Sequence, residues 1–140
     1  MTLRIVVAVV VFAILALVAW YLERRRRNDP PTQRTIGEPP AQLDRNDFPH
    51  PERPWLVVLF TSGNCESCKG LAEKAAPLES ADVAVTDVEY FANTQLHERY
   101  HIDAAPMTVI ADAQGVVRGS FVGAFSATDL WNAVAELRAS

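Results

Sequence analysis

The two cysteines of this 140-residue chain, Cys65 and Cys68, lie three positions apart. A continuous apolar run, Trp55–Phe60, precedes them as a predicted strand, and a helix is predicted from Cys65 to Pro77. The free N–H groups and positive dipole end of a helix N-terminus lower the pKa of a thiol placed there. This context indicates thiol–disulfide exchange, in which Cys65 is the attacking thiolate and Cys68 resolves the mixed disulfide.

A small α/β unit is predicted around the cysteine pair, with the element order β-α-β-α-β-β-α. The strands after the first are predicted at residues 83–89, 107–111 and 116–122, and a hairpin turn at residues 112–115 joins the last two. Asn93 is the candidate cap of the second helix. Ser126 and Asp129 form a capping-box pattern ahead of the last helix.

Three features in this order resemble the thioredoxin family. They are the strand–CxxCK–helix unit at Leu56–Lys69, the Ala105-Pro106 peptide before a strand, and a hairpin that ends in Phe121-Val122-Gly123. The resemblance covers residues 54–140 and implies the thioredoxin-like fold, an α/β fold with a central mixed sheet flanked by helices. It also implies a cis peptide bond before Pro106 and a groove for the partner's chain beside the cysteines. The residues expected in this groove are Asn64, Ala105, Pro106 and Gly123.

Several positions depart from the family pattern. Asn64 and Glu66-Ser67 stand where the family commonly has Trp and Gly-Pro. Leu59 and Asp87 stand at or near the positions of a buried Asp and its Lys partner, so the chain resembles a specialised member rather than a general thioredoxin. Because the carboxylate of Glu66 disfavours a thiolate at Cys65, we expect a pair that acts as a reductant.

Other roles for the conspicuous side chains are less consistent with the sequence. A closed zinc site needs four ligands, but the 28-residue gap between Cys68 and His97 is too long for a zinc finger. His97 and His101 are therefore interpreted as solvated helix surface, and we expect no metal, flavin or nicotinamide cofactor. The aromatic residues expected in the core are Trp55, Phe60, Phe121 and Trp131.

A transmembrane anchor is predicted at the N-terminus, in residues 1–27. All 18 positions of Ile5–Leu22 are apolar, enough for a helix to cross a bilayer, and Arg24–Arg27 follows as a stop-transfer run. A cleaved signal peptide and a buried core helix are the alternatives, although the residues before the run are not those of a typical signal peptide. The positive-inside rule favours a single-pass cell-membrane protein with its C-terminal domain in the cytoplasm, and the extracytoplasmic face is the alternative.

A tether is predicted at residues 28–54, which hold seven of the nine prolines, and the thioredoxin-like domain is predicted at residues 55–140. The domain has five basic and eleven acidic residues, a net charge of −6. Because an acidic domain binds a phosphate backbone poorly, nucleic acid is not an expected partner.

The function predicted from these features is that of a membrane-tethered protein disulfide reductase. Its partners would be a protein thiol or disulfide, an unidentified electron donor, and the membrane through residues 5–22. Two alternatives remain open at this point. One is a thiol-based carrier or maturation factor for a metalloprotein or cytochrome, with Met107 as a candidate soft ligand. The other is a redox-inert binding module of the same fold.

Overall fold

The computed structural model describes residues 1–27 and 37–140, without side-chain detail for Leu3 and residues 22–27. The described residues divide into two compact units, one built on the N-terminal helix and one, residues 37–140, that holds both cysteines. The predicted element order of the second unit is confirmed. The helices are α1 (Thr2–Arg27), α2 (Leu71–Ala75), α3 (Thr94–Arg99) and α4 (Ala127–Ala139), and the strands are β1 (Trp55–Thr61), β2 (Val83–Glu89), β3 (Met107–Ala111) and β4 (Val117–Val122).

The four strands form one mixed sheet in the order β2-β1-β3-β4. Strand β1 pairs in parallel with β2 and antiparallel with β3, and β3 pairs antiparallel with β4. The carboxyl ends of β1, β2 and β4 and the amino end of β3 therefore lie along a single edge of the sheet. This edge carries the loop that leads to the cysteines.

Both faces of the sheet are buried, which explains the continuous apolar sequence of β1. Leu56, Val58 and Phe60 point to one side, where they pack with Tyr100 at the end of α3. Val57 and Leu59 point to the other side, into a cluster with residues of α2 and α4. Helix α4 begins as its sequence predicts, since the Ser126 hydroxyl accepts a hydrogen bond from the Asp129 backbone N–H.

The domain begins earlier than the predicted boundary at Trp55. Residues 37–48, which we name the N-terminal arm, pack on the α3 side of the sheet, with Leu43 only 1% exposed. The Ala41 carbonyl accepts from the Val117 N–H, and the Tyr100 hydroxyl accepts from the Asp44 N–H. Proline content correctly marks irregular backbone in residues 37–54, but it does not exclude packing through the apolar residues between the prolines. The rest of the predicted tether, residues 28–36, lies outside the described residues.

Two predicted local features differ from the structure. Trp131 is 41% exposed rather than buried in the core, although its indole N–H donates to the Lys74 carbonyl of α2. The Asn93 side chain does not cap α3; instead its amide donates to the Glu89 carbonyl. In each case the side-chain N–H group donates to a backbone carbonyl of another segment.

Helix α1 forms the first unit. In the described part of the chain, Arg4–Tyr21 is the one segment long and apolar enough to cross a membrane, as judged by length and composition. Because of its position near the N-terminus, a signal sequence satisfies the same criteria.

Candidate active site

The cysteine pair lies on a tight turn at the carboxyl end of β1. Cys65 and Cys68 form a disulfide with a Cα–Cα distance of 5.3 Å, and both residues are half-buried. The turn is a short 3-10 helix, Glu66–Cys68, in which the Cys68 N–H donates to the Cys65 carbonyl. It places the disulfide at the protein surface, where a partner can reach it.

The predicted helix from Cys65 to Pro77 is wrong in its bounds. Gly70 adopts a left-handed conformation with a φ of 74°, and α2 begins only at Leu71 and is five residues long. A second 3-10 turn, Ala76–Leu78, follows at Pro77. The cysteines therefore precede the helix rather than cap it, and a helix this short provides little of the dipole effect expected at Cys65.

The disulfide borders a shallow depression of about 190 Å³. Thr61, Asp87 and Glu89 share this face of the sheet, because β1 and β2 pair in parallel with Thr61 opposite Glu89. The Thr61 hydroxyl donates to the Asp87 carboxylate at 2.6 Å. Two carboxylates of β2 thus line the same depression as the cysteines. Its lining residues are Thr61, Ser62, Gly63, Cys65, Cys68, Lys69, Asp87 and Glu89.

Glu89 holds the loop that leads into the cysteine turn. One carboxylate oxygen accepts from the Gly63 N–H at 2.8 Å, and the other accepts from the Ala92 N–H at 2.9 Å. The hydrogen bonds from Ala92 and Gly63 lower the pKa of Glu89 below its usual value, so this carboxylate is ionised at neutral pH. Glu89 therefore fixes the position of the loop and adds a negative charge to the depression.

The predicted groove residues lie along the same edge of the sheet. The Ala105–Pro106 peptide bond is cis, as the resemblance implies, and Pro106 is buried. The Pro106 carbonyl accepts from the Gly123 N–H at 2.8 Å, so β4 ends against this proline. Gly123 has a φ of 95°, which favours glycine, and Asn64 and Ala105 are exposed.

His97 differs from its interpretation as solvated surface. It is 3% exposed, and its Nε2 lies 2.8 Å from the Val88 carbonyl oxygen. Its ring packs edge-on against Phe60 and Tyr90. His97 is therefore engaged in the core next to β2, whereas His101 is exposed with a φ of 54°. Within residues 1–27 and 37–140, no group of three or more His, Cys, Asp and Glu side chains could hold a metal ion.

Glu89, Thr61 and the aromatic pair Tyr90–Phe91 were not identified from the sequence as neighbours of the cysteines. The parallel pairing of the first two strands could have indicated them, because the carboxyl ends of parallel strands meet at one edge of a sheet. Asp87 was noted only as a departure from the family pattern. Its hydrogen bond with Thr61 depends on the register of the two strands, which the alternation of β2 does not determine.

Comparison with known proteins gives fold neighbours but no close sequence relative. No known sequence family matches the chain, and no curated protein matches it. Among solved structures, the germline-specific thioredoxin Deadhead of Drosophila melanogaster has 26% identity and a TM-score of 0.54, and the match covers 62% of this chain and 84% of that one. The thioredoxin of Fasciola hepatica has 26% identity and a TM-score of 0.52, and the match covers 59% and 80% of the two chains.

A third structure, the oxidised mitochondrial thioredoxin 3 of Saccharomyces cerevisiae, has 22% identity and a TM-score of 0.51, and the match covers 61% of this chain and 80% of that one. These likenesses agree with the sheet order, the Cys65–Cys68 pair at the end of β1 and the proline that precedes β3. The chain therefore has a thioredoxin-like fold that carries a Cys-Xaa-Xaa-Cys pair, and it is similar to thioredoxins.

Proposed function

We propose that this protein is a membrane-tethered thiol–disulfide oxidoreductase that reduces a disulfide of a partner protein. The observation that carries the proposal is the half-buried Cys65–Cys68 disulfide at the carboxyl end of β1, on the edge of the sheet where Pro106 precedes β3. The likeness to thioredoxins supports the exchange chemistry. The apolar helix α1 supports the attachment to a membrane.

The reaction proceeds in two exchanges. The Cys65 thiolate attacks one sulfur of the partner's disulfide, forms a mixed disulfide and releases the partner's other sulfur as a thiolate. The Cys68 thiolate then attacks the Cys65 sulfur, so that the Cys65–Cys68 disulfide forms and the partner's second sulfur leaves. The partner gains two electrons and two protons in total, and an external dithiol donor returns the cysteine pair to its reduced state.

The groove residues and the membrane face belong to the same proposal. Asn64, Ala105, Pro106 and Gly123 would contact the partner's chain beside the mixed disulfide, and their position along the cysteine-bearing edge supports this role. The Arg24–Arg27 run supports a domain on the cytoplasmic face of the cell membrane. That compartment keeps thiols reduced, in agreement with the reducing direction.

A glutathione redox titration of the full chain in lipid nanodiscs tests the proposal. We expect a reversible two-electron couple below about −230 mV, on the reducing side of the known scale. The Cys68→Ser variant is the matched control, since it keeps Cys65 but cannot form the internal disulfide. A couple near about −120 mV would instead indicate an oxidant, and no reversible couple would favour the carrier or the redox-inert module.

A further inference from the structure

Two exposed aromatic residues, Tyr90 and Phe91, directly follow β2. Phe91 is 62% exposed, and its ring meets that of Tyr90 edge to face at 5.4 Å. Tyr90 in turn packs against the buried His97 at 5.2 Å. The pair is therefore anchored to the core on one side and presents the Phe91 ring to solvent on the other.

The Phe91 ring lies against the loop that leads into the cysteine turn. A Cβ atom placed on Gly63 would be 3.9 Å from Phe91 Cδ2, and Gly63 is two residues before Cys65. The Tyr90 N–H donates to the Thr61 carbonyl at 2.9 Å. The Glu89 carboxylate bridges the N–H groups of Gly63 and Ala92. These bonds hold the aromatic pair and the cysteine loop in a fixed relation.

The charge beside the cysteines is negative. Asp87 and Glu89 line the depression, while Lys69, which also lines it, pairs with Glu66 at 2.8 Å. Asp87 accepts a hydrogen bond from the neutral Thr61 hydroxyl and is exposed. A cationic side chain of a bound polypeptide would therefore be attracted to this depression.

We propose that Phe91 and Asp87 determine specificity, selecting partner disulfides whose reacting cysteine is flanked by one apolar and one basic residue. The inference rests on the proposed exchange reaction. A mixed disulfide holds the two Cα atoms about 4.4–6.8 Å apart, and an extended chain advances about 3.3–3.6 Å per residue. The residues next to the partner's cysteine must therefore pass over the surface around Cys65, where the Phe91 ring and the Asp87 carboxylate are exposed.

A set of four cysteine peptides tests this specificity. Each peptide is activated as a disulfide with thionitrobenzoate and has either Leu or Ser on one side of its cysteine and either Arg or Glu on the other. The reduced full chain in nanodiscs attacks the peptide sulfur, the peptide–thionitrobenzoate bond breaks, and the coloured thiolate is released. Cys68 then displaces the peptide as a free thiol. The absorbance of the released thiolate gives a second-order rate constant for each peptide. For each variant, we compare the rate constants of the Leu and Ser peptides as one ratio and those of the Arg and Glu peptides as another.

For the unaltered chain we expect a Leu-to-Ser ratio of about ten and an Arg-to-Glu ratio above one that falls as salt is added. Phe91→Ala should bring the Leu-to-Ser ratio close to one, and Phe91→Leu should retain part of the preference for Leu. Asp87→Asn should lower the Arg-to-Glu ratio, because it removes the negative charge that attracts the Arg side chain. Trp131→Phe, at an exposed aromatic residue on α4 outside the depression, is the matched control and should leave both ratios unchanged.

A merely structural role for Phe91 would slow all four peptides equally in the Phe91→Ala variant and would overturn the proposed specificity. The absence of any Leu preference in the unaltered chain would overturn it as well. If the unaltered chain released no thionitrobenzoate from any peptide, the exchange reaction itself would be wrong, and the specificity with it. The first two results leave the proposed reaction intact.

Discussion

Glu66 lies between the two cysteines in the sequence, and Lys69 directly follows Cys68. Their side chains form an exposed ion pair. Their side chains are 2.8 Å apart and remain 85% and 70% exposed. Such pairs contribute little to stability, because water and salt screen them. The negative charge of Glu66 still disfavours the Cys65 thiolate, and the positive charge of Lys69 favours it. Lys69 therefore partly offsets the effect that we expected from Glu66 alone.

The two charges can be separated by single substitutions in a Cys68→Ser background. Glu66→Gln leaves the positive charge of Lys69 unopposed, so the Cys65 thiolate is favoured and its pKa should fall by a few tenths of a unit. Lys69→Gln is the matched control and should raise the pKa by a similar amount. The pH dependence of the rate of iodoacetamide alkylation measures both values.

The double variant Glu66→Gln/Lys69→Gln should return the pKa of Cys65 close to that of the parent. If both single variants shifted the pKa of Cys65 in the same direction, or left it unchanged, the charges of Glu66 and Lys69 would not determine that pKa.

The N-terminal arm shows how a non-periodic segment packs against the sheet and is held there by hydrogen bonds. The Gly115 carbonyl, in the turn between β3 and β4, accepts from the Leu43 N–H at 2.8 Å. Gly115 has a φ of 79°, and a Cβ atom there would lie 2.0 Å from the Leu43 carbonyl oxygen. The turn therefore requires glycine both for its backbone conformation and for the close approach of the arm.

Gly115→Ala should lower the free energy of unfolding by about 3 kcal/mol, since conformational strain adds to displacement of the arm. Gly123→Ala is the matched control, because Gly123 also has a positive φ but has no atom within 4 Å of an added Cβ. It should cost only about 1 kcal/mol of strain. Chemical denaturation of the nanodisc-reconstituted chain, followed by tryptophan fluorescence, compares the two. Equal costs would show that the arm does not depend on Gly115.

The whole chain combines an apolar N-terminal helix with an acidic thioredoxin-like domain. Four arginines follow the apolar run, while Arg4 and the α-amine precede it. This bias favours retention of the arginine-rich end in the cytoplasm. The resulting topology would expose the cysteine pair to cytoplasmic partners and donors.

Maleimide labelling of intact cells tests this topology. In the Cys68→Ser variant, Cys65 should react with a membrane-permeant maleimide and not with an impermeant one. The matched control is Thr2→Cys in a chain with both native cysteines replaced by Ser, and it should react with the impermeant reagent. Labelling of Cys65 from outside would place the domain on the extracytoplasmic face, and a mature chain without residues 1–22 would indicate a signal peptide.

Local sequence patterns determined most of the elements of this protein. The continuous apolar run of β1 reflects its burial on both faces of the sheet, and the alternation of β2 was sufficient to indicate a strand. The Ser126 cap and the turn at residues 112–115 are equally local, because each requires only a few neighbouring residues. The cysteine spacing, together with the strand before it, was sufficient to identify the candidate site.

Only the tertiary structure decided which residues surround that site. The carboxylates of Asp87 and Glu89 and the Phe91 ring reach the cysteine turn through the register of β2 on β1. His97 is buried because α3 packs against Val88, although its own segment is largely polar. These placements follow from contacts between residues distant in sequence, and such contacts are set by the packing of whole elements. The residue types of the site are thus present in the sequence, but their proximity is a property of the fold.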